Sequence, residues 1–98
     1  VARAYMERSL ANPVIIVDTN HANSNKNFRE QPRIGMEVAM SRRHAPVVRD
    51  LVLGLMVESY IDEGSQRIDE NIYGRSITDP CLGWKDTWVF VHRLAEIV

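Results

Sequence analysis

The feature that most narrows the fold is a pair of uninterrupted apolar runs, Val14-Ile15-Ile16-Val17 and Leu51-Val52-Leu53-Gly54-Leu55-Met56-Val57. The first is wholly β-branched, and neither alternates with polar residues as a strand with one wet face would. Such runs read as strands buried on both faces, the kind that parallel sheets use. Between them, from about Asn25 to Arg43, the pattern is helical, with Phe28, Ile34, Val38 and Met40 or Ala39 on the buried side. A strand, a helix and a second strand make a right-handed βαβ unit, so the chain is α/β. Two strands cannot form a stable sheet with both faces covered, so other elements must complete it.

The remaining stretches fit around this unit. Ala2 to Leu10 is rich in helix formers, with Ala2, Tyr5, Met6 and Leu10 spaced for one face, and Asn12-Pro13 stops it. Ser24 is available as the N-cap of the next helix, and Pro32 must sit in its first turn or kink it. His44-Ala45-Pro46 ends that helix. Gly54, inside the second strand, hints at a close approach by another group. Ser59 to Thr78 is a long polar connection that Ile61, Ile68 and Ile72 could tack down, with a turn at Tyr73-Gly74. A loop this long inside a compact domain is usually functional or mobile. A last helix runs from near Asp86-Thr87 to about Ile97, with Trp88, Val91, Leu94 and Val98 as core candidates.

Composition removes several function classes. With 12 Lys and Arg against 13 Asp and Glu, the net charge is -1, which gives no reason to expect a nucleic acid or membrane partner. Arg42-Arg43-His44, the densest basic cluster, reads as a solvated helix end. One cysteine excludes an internal disulfide and fits a reducing cytoplasm. No apolar run approaches the ~20 residues of a membrane span. At 98 residues there is room for one small domain. Val1 to Met6 already reads like helix interior, which suggests a chain cut from something longer.

Three polar stretches follow or return to the strand ends: Asp18-Thr19-Asn20-His21-Ala22-Asn23-Ser24, Gly54 to Ser59, and Gly74 to Trp84. They put His21, Glu58 and Asp79 at the ends of apolar runs. Parallel α/β folds gather ligands at the carboxyl ends of their strands, and neighbouring strands lie only ~4.8 Å apart. One imidazole and two carboxylates suit Mn²⁺, Fe²⁺, Co²⁺ or Zn²⁺ better than Ca²⁺, which prefers oxygen cages. Such a site could polarise a carbonyl. Each residue also has an ordinary reading. A loop histidine is commonly a surface residue, Glu58 can mark a strand's exit to solvent, and Asp79 before Pro80 can be a turn former. Cys81 reads as a small buried hydrophobe. Spacing alone leaves both accounts open.

The strings His21-Ala-Asn-Ser24, Gly54-Leu-Met-Val-Glu58-Ser59 and Gly74-Arg-Ser-Ile-Thr-Asp-Pro-Cys-Leu-Gly-Trp84 resemble, in order, the C-terminal part of the type I 3-deoxy-D-arabino-heptulosonate 7-phosphate (DAHP) synthases. The resemblance implies that residues 1–98 are the C-terminal part of one (β/α)₈ TIM barrel domain. They would hold part of the sixth helix and strands 7 and 8 with their flanking helices, incomplete as an isolated chain. It implies an enzyme of the shikimate pathway and aromatic amino acid biosynthesis, a transferase that condenses phosphoenolpyruvate with erythrose 4-phosphate. It also implies His21, Glu58 and Asp79 as ligands of a divalent metal ion, with His21 facing phosphoenolpyruvate as a catalytic residue. A fourth ligand, a cysteine, falls outside this chain, and Cys81 does not match it. Asn23 and Lys26 are weaker candidates for substrate contact, with a helix-start role beside it. Most of the Arg and Lys residues that clamp the substrates also fall outside, so the expectation is a part inactive alone.

A different class of function is a non-catalytic assembly module whose open strand edges drive self-association. The apolar area that a monomer would expose points to a homo-oligomer. A related synthase with an eight-carbon product fits the Thr78–Trp84 string less well.

Overall fold

Strands β1 (Ile15–Asp18) and β2 (Val52–Met56) pair in parallel, the register running from Ile15 opposite Val52 to Asp18 opposite Met56, with one irregularity between Ile15 and Ile16. The computed structural model describes residues 2–25 and 27–98. Val1, Lys26, and the Ala2 and Tyr5 side chains assigned to the first helical face lie outside the described residues. In order, the elements are α1 (Ala2–Glu7), β1, α2 (Gln31–His44), α3 (Pro46–Leu51), β2 and α4 (Trp84–Ile97), with short 3₁₀ turns at Ala22–Ser24 and Phe28–Glu30. None of the helices is long and apolar enough to cross a membrane, among the described residues.

The expected βαβ unit is present, but its strands are covered on one face only. A Cβ built on Gly35 of α2 would overlap the Phe90 ring of α4 and lie 3.3 Å from the Leu55 side chain of β2. Gly35 is therefore the point where α2, α4 and the sheet come closest. Any side chain there would overpack a buried aromatic, at a cost of about 1–3 kcal/mol. Gly54, where a close approach was expected, meets only ordinary contact, with Ile16 at 3.6 Å. Side chains alternate along a strand, so Leu55 faces the helices, while Gly54, Met56 and their partners Ile16 and Asp18 face away from them. Ile16 is consequently 65% exposed and Met56 53% exposed. Burial on both faces fails for a plain reason: among the described residues the sheet has two strands, with helices on one side.

Ile34, Ala39, Leu51, Val52, Cys81, Leu82 and Phe90 form the core. Helix α4 turns Phe90 and Thr87 inward and leaves Trp88, Val91 and Val98 exposed, so the expected core of that helix is rotated. Met6 and Leu10 are likewise exposed, and the first helix stops at Glu7, before Asn12-Pro13. Pro32 does sit in the first turn of α2, where its missing N–H costs nothing. Ser24 does not cap the next helical turn. That role falls to Asn27, whose side chain accepts from the Arg29 N–H, while the Ser24 hydroxyl donates to the His21 carbonyl.

The 59–78 connection forms no helix or strand but is stitched closed. Single bridges link Ser59 to Leu82, Gly64 to Cys81 and Ser65 to Ser76. The turn at Tyr73-Gly74 is present, with Gly74 at φ +80, a conformation glycine adopts without strain. Ile61 packs against Gly74, whereas Ile68 is 77% exposed and tacks nothing down.

Candidate functional site

The parallel register delivers Asp18 and Met56 side by side at the carboxyl end of the sheet. His21 follows three residues beyond the first, Glu58 two residues beyond the second. The Asp79 stretch joins them through Leu82, 1% exposed, whose N–H donates to the Glu58 carbonyl at 2.9 Å while its carbonyl accepts from Tyr60 N–H at 2.9 Å. On the other side the Asn20 amide donates to the Pro80 carbonyl at 2.9 Å. Backbone bonds and one buried amide thus draw three loops distant in sequence onto one point.

At that point stands the His21 ring. Its Nε2 lies 3.5 Å from Glu58 Oε1 and 3.5 Å from Asp79 Oδ2, while Nδ1 lies 2.9 Å from Asp18 Oδ2. Proximity alone groups Asp18, His21 and Glu58, whose donor atoms lie within 4.8 Å of one another. The two ring nitrogens separate the roles more sharply. An imidazole presents one nitrogen to an ion, and its other N–H is commonly held by a carboxylate. Asp18 stands at Nδ1, and Nε2 faces the Glu58 and Asp79 carboxylates.

The spacing of that set is informative. At 3.5 Å the Nε2–carboxylate pairs are at the outer limit of a hydrogen bond. Ligands about 2.1 Å from a shared tetrahedral ion lie about 3.4 Å from each other. One nitrogen and two carboxylate oxygens match the borderline divalent metals. The two Nε2–carboxylate spacings and the donor types match a divalent transition-metal ion, with Asp79 standing beside the tighter Asp18–His21–Glu58 group.

Electrostatics agree with this arrangement. The hydrogen bond that His21 donates to Asp18, and then the Asp18 charge, raise the His21 pKa above its ordinary value, with smaller contributions from Glu58 and Asp79. The Asp18 carboxyl is held below its ordinary range, chiefly by the Asn20 backbone N–H and then by His21. Burial pushes the Cys81 thiol up, and its Sγ donates to the Asp79 carbonyl at 3.4 Å. Cys81 is a buried, protonated neighbour of the cluster, as its reading as a small hydrophobe anticipates.

Asn23 lies in the turn after His21, and its Nδ2 donates to the Asp18 carbonyl at 2.6 Å, a local turn-closing bond. Lys26 is outside the described residues. Sequence reasoning passed over Asp18, whose place at the end of an apolar strand, three residues before a histidine, was a usable signal. It also passed over Gln31, completely buried, whose amide joins Thr19 to the Glu58 backbone.

Fold and site together define a segment of an α/β protein that carries an imidazole–carboxylate cluster at the carboxyl ends of parallel strands, where enzymes of this class keep their sites. Residues 1–92 match the family model described as the DAHP synthetase I family, and the chain belongs to that family. It is 35% identical over 101 residues to the Trp-sensitive phospho-2-dehydro-3-deoxyheptonate aldolase of Buchnera aphidicola subsp. Baizongia pistaciae, covering 100% of this chain and 28% of the relative. The Trp-sensitive aldolase of Escherichia coli (strain K12) is 38% identical over 87 residues, covering 86% of this chain and 24% of the relative. Among solved structures, the phospho-2-dehydro-3-deoxyheptonate aldolase of Francisella tularensis SCHU S4 superposes with a TM-score of 0.76 at 30% identity, covering 87% of this chain and 24% of that one. The chain thus spans about a quarter of the length of these relatives.

Proposed function

We infer that this chain is part of a synthase that condenses phosphoenolpyruvate with erythrose 4-phosphate, giving DAHP and phosphate, the first step of the shikimate pathway. Within it, His21, Glu58 and Asp79 hold a divalent metal ion. The observation that carries this reading is His21 Nε2 standing 3.5 Å from both the Glu58 and the Asp79 carboxylate, in a chain belonging to this family. The bound ion supplies Lewis acidity toward a carbonyl oxygen such as the aldehyde of erythrose 4-phosphate.

The chain's own residues prepare the site. Asp18 holds the proton on Nδ1, which keeps Nε2 as the free donor atom and fixes the ring plane. Glu58 and Asp79 bring two negative charges that offset the charge of a divalent cation. His21 also stands at the edge of the phosphoenolpyruvate site, as the matching family residue does. Asn23 and Lys26 are secondary candidates for substrate contact.

A (β/α)₈ barrel, with β1 and β2 as its seventh and eighth strands, accounts for the one-sided cover. Ile16 and Met56 would then face the barrel interior. The radius of gyration, 15.7 Å, exceeds the ~13 Å of a compact domain of about 100 residues, as expected of an arc rather than a closed globule. By the same reading the chain alone lacks the other ligand and the phosphate clamps, and is inactive without them. Closure with the rest of the barrel hides part of the apolar surface exposed here, and association of copies in the cytoplasm as a homo-oligomer would cover what remains. The assembly-module reading has no comparable support, since the relatives matched across the chain are named as aldolases.

The test is Mn²⁺ calorimetry on the complete synthase polypeptide and its His21→Ala variant, with turnover of the two substrates alongside. Stoichiometric Mn²⁺ binding lost in His21→Ala, together with activity, is expected. Unchanged Mn²⁺ binding in a folded His21→Ala protein would overturn the ligand assignment.

A further inference from the structure

Gln31 is the first residue of α2 and 0% exposed. A buried amide costs ~1–3 kcal/mol unless its polar atoms are paired, and a methionine would fill the same volume without that demand. Here both ends of the amide are engaged with one residue. Nε2 donates to the Glu58 carbonyl at 2.9 Å, and Oε1 accepts from the Glu58 backbone N–H at 2.8 Å. The orientation of the amide is unambiguous, because a backbone N–H can only donate. Oε1 also lies 2.9 Å from the Thr19 hydroxyl, which in turn lies 3.0 Å from the Met56 carbonyl and whose single proton serves one of the two at a time. Thr19 is itself fully buried and stands two residues before His21.

We propose that Gln31 is a positioning residue for the metal site, a two-point clamp on the Glu58 backbone that fixes the Glu58 carboxylate relative to His21. This rests on the reading of His21, Glu58 and Asp79 as metal ligands. Glu58 lies beyond the last position at which β2 pairs with β1. The clamp takes the place of a partner on the β1 side and, through Thr19, ties Glu58 to the loop that carries His21. The Glu58 carbonyl accepts from Leu82 N–H as well, so the same peptide group is shared by the element carrying Asp79. Outer partners of this kind are commonly worth 10–100-fold in metal affinity.

The experiment titrates Mn²⁺ into the complete synthase polypeptide as wild type, His21→Ala, Gln31→Met, Gln31→Glu and Ala39→Gly. Visible absorption with saturating Co²⁺ is recorded on each. Gln31→Met removes both hydrogen bonds at nearly equal volume, and Gln31→Glu, whose carboxyl burial holds protonated, keeps the acceptor and a single O–H donor. Ala39→Gly disturbs the same buried helix without touching the site. The expected result is a Kd for Mn²⁺ raised 10–100-fold in Gln31→Met and less in Gln31→Glu, with altered Co²⁺ spectra in both. Ala39→Gly lowers the Tm and leaves Kd and spectrum unchanged. Should Gln31→Met fail to fold, Gln31→Glu carries the same comparison. Folded Gln31 variants with wild-type Kd and spectrum, while His21→Ala abolishes binding, would sink the clamp and leave the metal site standing. Mn²⁺ binding insensitive to His21→Ala would remove the site, and the clamp with it.

Discussion

The carboxyl end of the sheet and its uncovered face solve the burial problem in opposite ways. At the carboxyl end, polar groups are buried and nearly all paired within the chain: Thr19 with Gln31, Gln31 with Glu58, Asn20 with Pro80, Leu82 with Glu58 and Tyr60. On the uncovered face, Ile16 and Met56 stay more than half exposed. Hydrogen bonds are directional and local, so two loops and a helix start can complete them. Apolar burial needs area, and a two-stranded sheet with helices on one side supplies only half. The approach of His21, Glu58 and Asp79 is therefore held by bonds within this chain, whereas the sheet face at Ile16 and Met56 is left open by the described residues.

The largest expected perturbation separates these two kinds of support. Leu82→Ala removes a core side chain but keeps the backbone bonds between Glu58 and the Asp79 loop. It should cost about 2–5 kcal/mol in urea unfolding of the complete polypeptide, while Mn²⁺ affinity measured well below the unfolding transition stays unchanged. A collapse of affinity in the folded variant would show that apolar packing, not the stitching, sets the site.

Ile16→Thr probes the other region. In the 98-residue chain it should change stability by no more than about 0.5 kcal/mol and lower self-association seen by light scattering. In the complete polypeptide the same change should cost about 1–3 kcal/mol, because the hydroxyl is then buried without a partner. A large cost in the short chain would mean that the face is already covered.

The smallest effect is in pH. The His21 pKa is raised above its ordinary 6.5, first by the hydrogen bond to Asp18 and then by its charge. The pair's contribution to metal-free stability is therefore full below the unfolded value and lost as pH rises through the folded one. His21 is exposed, so the loss is slight. Mn²⁺ affinity should run the other way and climb over the same interval, because the neutral imidazole is the ligand. Thermal melts with and without Mn²⁺ should diverge upward from pH 6.5. Parallel melts would refute the link between His21 and the metal.

Much of this was legible in the sequence, for definable reasons. Two apolar runs flanking a helical period gave the parallel pair, and the strand ends placed His21 and Glu58 in adjacent loops. The place of Asp79 on the return path from the second strand put it at the same end, and the motif resemblance strengthened that grouping, but spacing carries no record of the Leu82 stitch that holds it there. Helix α3 (Pro46–Leu51) was hidden, since six residues with Val47 exposed beside a half-buried Val48 show no period. Trp88 and Val91 misled because bulk suggests burial, whereas Phe90 takes the space left by Gly35. Gln31 gave no signal at all: a polar residue paired with backbone looks like surface until the fold surrounds it.

The three bridges at the base of the 59–78 excursion also define where this chain can tolerate change. Ser59, Gly64 and Ser65 are pinned to Leu82, Cys81 and Ser76, so the span beyond them is a closed ring whose neck bears on the site and whose tip does not. Doubling such a ring costs only ~0.6 kcal/mol of closure entropy. Residues 67–73, which are exposed throughout, are thus the natural place to graft a foreign peptide or a reporter without moving Glu58 from Asp79.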